Sequence, residues 1–214
     1  MGDDDVSVQP MQTARAQSWF DSMSENLRLA SLSPRFAWAD TTRQPGLHCV
    51  HLGFEDAGLS TLSPWPGEVL DRLGKRIETT LREVRADAVI TWGPEGGYGH
   101  QDHRLVGDVV TQLFQAGAVA EATKLYYVGF EAERIARAPR WFGMRVYPTA
   151  PRLLTARVAY DAQDRDAARR ALACHRSQAT QEGMTESFTT LETLWQGQVA
   201  FQQWRGGPVT NRLF

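Results

Sequence analysis

The sequence predicts an α/β fold with a mainly parallel sheet, and three observations support this class. Apolar strand candidates alternate with amphipathic helix candidates along the chain. The run Ala88–Trp92 lacks polar alternation, which is typical of a strand covered on both faces. The helix candidates that flank it carry apolar residues three and four positions apart. This order is characteristic of parallel strands joined by helical crossovers.

The elements are predicted in order along the chain. Residues 1–9 are polar and are expected to be disordered, and the apolar stripe that follows predicts a helix over 10–32. Proline-containing loops are expected on both sides of a short strand. The candidates from there are strand 47–52, helix 68–84, strand 88–92, helix 101–117, strand 125–130, strand 153–160 and helix 164–181. The aromatic tail, 188–214, is expected to pack onto the body of the domain.

Composition fits one globular domain over 1–214. The chain has 214 residues, 42% of them hydrophobic and 22% charged, with a formal net charge of -2. This charge argues against a nucleic-acid binder or an anionic-membrane binder, because both need a basic surface. No apolar run is long enough to cross a membrane, and the acidic start at Met1 does not read as a signal peptide. Cys49 and Cys174 are expected to be buried free thiols, so a cytoplasmic location is the default expectation.

The segment from Trp92 to Arg104 carries the chemistry. It follows a buried strand and opens a helix, where open α/β sheets place their ligand crevice. Its glycines allow a sharp turn and close approach to a ligand. His100 and His103 are three positions apart at the start of the helix, which puts both rings on one side.

Spacing alone is weak support for a site. His48 and His51 are also three apart, but they lie on a predicted strand and would point to opposite faces. The pair at the helix start differs by its context, which adds Tyr98, Asp102 and a glycine-rich turn.

At these residues the chain resembles a known family. The run from Gly93 to His103 resembles the Gly-x-x-Gly-x-x-Gly-His-Pro-Asp-His segment of the PIG-L/LmbE-like zinc-dependent N-deacetylases, with Gln101 in place of the proline. Two weaker matches fall in family order, one at 52–59 and the other at 173–178. The resemblance covers about residues 10–180. It implies a Rossmann-like three-layer sandwich and a small N-acetylated amino sugar or glycoconjugate as substrate.

The resemblance also implies roles for individual residues. His103 would be a ligand of Zn²⁺, and His100 would face the substrate carbonyl, held and charge-tuned by Asp102. Tyr98 would help to bind the oxyanion. The substrate contacts would be Asp56, which faces sugar hydroxyls, and Gly97. These roles agree with the needs of amide hydrolysis, which are an activated water, a stabiliser of the oxyanion and a proton donor.

One family signature does not occur in this sequence. The family closes its first strand with Ala-His-Pro-Asp-Asp-Glu, and no histidine precedes His48 here. The first strand-helix-strand unit is therefore expected to be absent. Three explanations stay open. The chain could be incomplete at its amino terminus, or it could be a short variant that binds a partner or sugar without catalysis. The third is that metal ligands are recruited from elsewhere, such as His48, His51, Asp56 or a second chain.

Two function classes follow from the sequence. The first is a metal-dependent deacetylase, or a truncated form of one. The second is a catalytically inactive sugar- or partner-binding protein on a deacetylase scaffold. A different metal hydrolase that shares only the glycine–histidine loop is a third alternative. A missing strand would expose a sheet edge, so a homo-oligomer is expected.

Overall fold

The computed structural model describes residues 52, 54, 67–138, 140–141, 143–173, 180–207, 210–211 and 213. The predicted helix 10–32, most of the strand 47–52, both cysteines, Asp56 and the 174–178 stretch lie outside these residues.

Two long helices and one strand were predicted closely. The helix α1 spans Gly67–Val84, the strand β1 spans Ala88–Trp92, and the glycine-rich turn contains a short helical segment, α2, over Gly96–Gly99. The helix α3 spans Gln101–Gln115. The apolar periodicity of α1 and α3 places Leu73, Ile77 and Val110 fully inside the core.

The remaining helices and strands lie in the second half of the described chain. In order they are β2 (Lys124–Gly129), α4 (Ala132–Ile135), β3 (Arg140–Trp141), β4 (Met144–Arg145), a 3-10 turn (Pro151–Leu153), β5 (Ala156–Ala159), α5 (Ala162–Ala173), α6 (Gln181–Trp195) and β6 (Gln198–Gln203). The helix α6 begins where the Thr180 hydroxyl accepts a hydrogen bond from the Gly183 amide at 3.2 Å. It ends at Gln196, which is left-handed with φ 47°.

The main sheet is mixed, which corrects the prediction of a mainly parallel sheet. Its order among the described strands is β1-β2-β6-β5. Among the strands that the structure describes, β1 and β2 are the one parallel pair, whereas β6 runs antiparallel to both of its neighbours. The α/β class itself is confirmed.

The tail explains this difference. It was expected only to pack on the surface of the domain, but it supplies α6 and then β6, which lies between β2 and β5. The predicted strand 153–160 is also shorter, because Leu153 ends a 3-10 turn and β5 spans only Ala156–Ala159. The predicted helix 164–181 corresponds to α5, and α6 begins at Gln181 after a stretch outside the described residues.

Side chains of β2 enter two different apolar clusters. Leu125 and Tyr127 pack with α1 and α3, while Tyr126 packs with residues of α6 and β6. This alternation is what a strand with both faces covered requires. Among the described helices, none is long and apolar enough to span a membrane.

One glycine brings the site's helix close to the strand before it. A Cβ on Gly107 of α3 would lie 2.3 Å from the carbonyl oxygen of Trp92, the last residue of β1. Only a residue without a side chain permits this approach. Gly107 therefore sets how closely the start of α3 lies beside the carboxyl end of β1.

Candidate functional site

The glycine-rich turn carries the chain from β1 into α3. The Gly96 amide donates to the Gly93 carbonyl at 2.9 Å, and the Gly99 amide donates to the Glu95 carbonyl at 3.1 Å. Gly97 has φ 69° and ψ -78°, a conformation that side chains rarely allow. The turn returns the chain directly over the end of β1.

Three rings meet at this turn. The centroids of His100 and His103 are 4.7 Å apart, and the Tyr98 ring lies 5.9 Å from His100 and 5.2 Å from His103. Tyr98 and His100 are both buried, at 7% and 8% exposure. The structure thus brings His100 and His103 together, as their spacing predicted, and places the Tyr98 ring beside both.

His103 is held in one tautomer. Its Nδ1 lies 3.2 Å from the Gly96 carbonyl oxygen. A carbonyl oxygen only accepts, so Nδ1 must carry the hydrogen that it donates. In the neutral ring this leaves the lone pair on Nε2, the arrangement that metal-ligating histidines use.

The charge state of His103 suits the same role. Burial, followed by the positive charge of His100, lowers the pKa of His103 from 6.5 to about 3, and the hydrogen bond to Gly96 opposes this shift. The ring is therefore neutral near pH 7. A metal ligand must be neutral in this way, because a protonated imidazole has no lone pair to offer.

Asp102 is a buried carboxylate in the first turn of α3. It is 1% exposed, and neither of its oxygens has a hydrogen-bond partner within the part of the chain that the structure describes. Neither oxygen accepts a hydrogen bond from His100 in this part of the chain, and the charge-tuning of His100 by Asp102 stays a prediction. A buried carboxylate without a partner is costly, and such groups cluster where function requires them.

The candidate metal site is incomplete in the described residues. Tyr98, His100, Asp102, His103 and Gly97 come together, but Asp56 lies outside the described positions. Across those positions no three His, Cys, Asp or Glu side chains form a group that could hold a metal ion. His103 fits one position of a zinc site, and the three or four protein ligands of a typical site would need residues beyond these.

Sequence reasoning missed three aromatic neighbours of the site. The indole of Trp92 stacks on His103, the ring of Trp141 meets Tyr98 edge-on at 5.6 Å, and the Tyr147 amide donates to the Gly97 carbonyl at 3.0 Å. Trp92 lies inside the segment from Trp92 to Arg104, so its position at the end of a strand could have identified it as a neighbour of the site. Nothing in the sequence connects Trp141 or Tyr147 with a turn more than 40 residues earlier.

Comparison with known proteins addresses the same segment. A family profile described as PIG-L, GlcNAc-PI de-N-acetylase, matches residues 24–114. The resemblance to the PIG-L family is confirmed over these residues. They include the glycine-rich turn, both site histidines and nearly all of α3.

The curated relatives of this segment described below share one name, 1D-myo-inositol 2-acetamido-2-deoxy-alpha-D-glucopyranoside deacetylase. The protein from Segniliparus rotundus is 34% identical over 96 residues, which cover 41% of this chain and 30% of that protein. The one from Rhodococcus jostii is 36% identical over 74 residues, or 30% of this chain and 25% of that protein. The one from Rhodococcus erythropolis is 39% identical over 51 residues, or 24% of this chain and 17% of that protein. The aligned parts are thus less than a third of each relative.

Proposed function

We propose that the chain is a metal-dependent deacetylase that removes an acetyl group from an N-acetylated amino sugar or a related amide. The observation that carries this proposal is the convergence of Tyr98, His100 and His103 beside the buried Asp102 carboxylate. The names of the curated relatives support an N-acetylated amino sugar as the substrate class, since those proteins are deacetylases of an acetamido-glucopyranoside.

Each side chain has a proposed part in amide hydrolysis. His103, neutral and with Nε2 available, holds the metal together with ligands outside the described residues. A bound zinc ion lowers the pKa of its water and polarises a carbonyl. His100 and Tyr98 stabilise negative charge on the carbonyl oxygen, and His100 supplies the proton that the departing amine needs. Asp102 favours the protonated form of a nearby histidine through its negative charge.

The proposal includes the form and setting of the protein. A Rossmann-like three-layer arrangement within a single domain is supported by the two clusters that β2 contacts through alternate residues. Asp56 and Gly97 are the proposed contacts of the sugar. A small-molecule substrate, self-association and a cytoplasmic location rest on the sequence expectations.

Two variants separate the roles of the two histidines. We expect His103→Ala to lose zinc binding in equilibrium dialysis, because it removes a ligand. His100→Ala should keep zinc but lose acetate release, because it removes a group that acts on the substrate. Gln101→Ala, exposed on the same turn, is the matched control. Acetate release by His100→Ala at the wild-type rate would refute the proposal.

A catalytically inactive sugar- or partner-binding protein is the alternative. The observation that favours it is the sequence itself, in which the Ala-His-Pro-Asp-Asp-Glu signature does not occur. A binding protein of this kind should hold the amino sugar equally well before and after treatment with EDTA. If binding is lost in EDTA and restored by zinc, the enzyme is favoured instead.

A further inference from the structure

Trp92 contacts His103 face to face. The two ring centroids are 4.6 Å apart, and the ring planes differ by 1°. This geometry is closer to parallel than any other contact among the site's rings, where the planes are inclined by 38° to 79°. The indole thus lies against one face of the imidazole.

Trp92 is itself held by several contacts, at its ring and at its backbone. A Cβ on Gly97 would lie 2.7 Å from Cζ3 of Trp92, so the turn presses directly on the ring. The backbone of Trp92 pairs with Val128 in the parallel ladder, and its carbonyl oxygen faces Gly107. The turn therefore contacts the ring, while the sheet and α3 hold the backbone of Trp92.

Two contacts together determine where His103 points. The hydrogen bond from Nδ1 to Gly96 fixes one ring atom but leaves the ring plane free to tilt about that bond. The stack on Trp92 fixes the plane. The ring is also attached through its Cβ to α3, so fixing one ring atom and the plane fixes the direction of Nε2 as well.

We propose that Trp92 is a positioning residue that sets the direction of His103 Nε2 and keeps His103 in the tautomer that bears its hydrogen on Nδ1. The significance of this role for metal binding rests on the proposed function, whereas the role itself concerns only the two side chains. Supporting contacts of this kind are typical of ligand histidines, whose orientation is set by neighbouring groups.

The direct test is nitrogen and proton NMR of the histidine rings in the full chain at one pH. His103→Gln assigns the His103 signals. In the wild type, the stack should shift the His103 ring protons upfield, and the nitrogen shifts should show hydrogen on Nδ1 alone. Trp92→Leu should remove the upfield shift and mix the tautomers, while Trp92→Phe, which keeps an aromatic face, should retain part of both.

Trp204→Leu is the matched control. Trp204 is also half-buried and near a strand end, but it packs against Phe114, which lies at the other end of α3 from His103. It should leave the His103 signals unchanged. If Trp92→Leu gives the His103 shifts and tautomer of the wild type, the proposal is overturned. Should Trp92→Leu fail to fold, the nitrogen shifts of Trp92→Phe decide the question, and a tautomer population identical to that of the wild type would overturn the proposal.

Zinc alone is the probe of the second readout. Loss of a group that orients a ligand typically weakens metal binding by about tenfold or more. We expect that increase in the Kd for zinc with Trp92→Leu and no change with Trp204→Leu, whereas an unchanged Kd with Trp92→Leu would contradict the proposal. A wild-type chain that binds no zinc would count against the proposed function, while the NMR result would still decide the role of Trp92.

Discussion

Gly74 and Gly107 occupy equivalent positions inside helices but have different surroundings. Both lie in the interior of their helices, α1 and α3, where alanine is favoured over glycine by about 1 kcal/mol. A Cβ on Gly74 would lie 3.8 Å from Val109 Cγ1, which is an ordinary contact. A Cβ on Gly107 would lie 2.3 Å from the Trp92 carbonyl oxygen. We therefore predict that the same substitution has opposite effects at the two positions.

The magnitudes follow from these distances. Gly74→Ala should raise the free energy of unfolding by about 0.5 to 1 kcal/mol, since it reduces the freedom of the unfolded chain and meets no clash. Gly107→Ala makes the same gain, but overpacking costs about 1 to 3 kcal/mol, at the upper end where the obstructing atom is backbone that cannot rotate away. The net result for Gly107→Ala is a loss of about 2 kcal/mol.

Urea unfolding followed by circular dichroism measures both variants against the wild type. If the free energy of unfolding falls with urea concentration at the same slope in each protein, a shift of the unfolding midpoint reports a change in stability alone. Because α3 must move away from β1 in Gly107→Ala, the His103 ring signals should shift in this variant and not in Gly74→Ala. If both alanine variants are equally more stable than the wild type, the close approach of α3 and β1 is refuted.

Three further predictions concern charged or titrating side chains. Asp102→Asn should raise the free energy of unfolding by about 1 kcal/mol and lower acetate release, because it removes a buried charge at a functional site. The exposed Asp108→Asn is the control and should change neither quantity. An Asp102→Asn variant that is less stable than the wild type would contradict this view. The pKa of His103 is about 3 when folded and 6.5 when unfolded, so the unfolded chain binds the extra proton between these values and stability falls as pH falls. Urea unfolding should show a loss of about 3 kcal/mol from pH 7 to pH 4 that His103→Gln lacks, and parallel pH profiles would refute the shift. Arg134 donates to the Trp195 and Gln198 carbonyls at the end of α6, so Arg134→Met should cost about 2 kcal/mol in urea unfolding. The exposed Lys75→Met is its control and should cost at most about 0.5 kcal/mol, so equal losses in the two variants would contradict the assignment.

The sequence was most informative where one local pattern decides the structure. The apolar spacing of α1 and α3 and the unbroken run of β1 each reflect burial of a single element, and they were predicted to within a few residues. The glycine–histidine turn was identified for the same reason, since all its chemical groups lie within six residues of one another.

The parts that were missed depend on distant segments. Nothing local shows that the strand β6 inserts between β2 and β5 in the opposite direction. The contact of Trp141 with Tyr98 joins the β3–β4 pair to the glycine-rich turn, two segments that only the folded chain brings together. The stack of Trp92 on His103 depends on how the glycine-rich turn passes over the end of β1. Gly97 and Gly107 permit this path through close contacts, which a pattern of residue types does not specify.

The central claim is that the cluster around His100 and His103 hydrolyses an acetamide on a sugar. The most direct measurement is acetate release by the full chain, supplied with zinc, from the acetamido-glucopyranosyl inositol named for the relatives. The account predicts that acetate and free amine appear in equal amounts and that a chelator stops their release. Binding of this sugar without release of acetate, in the presence of saturating zinc, would contradict it and favour a binding protein.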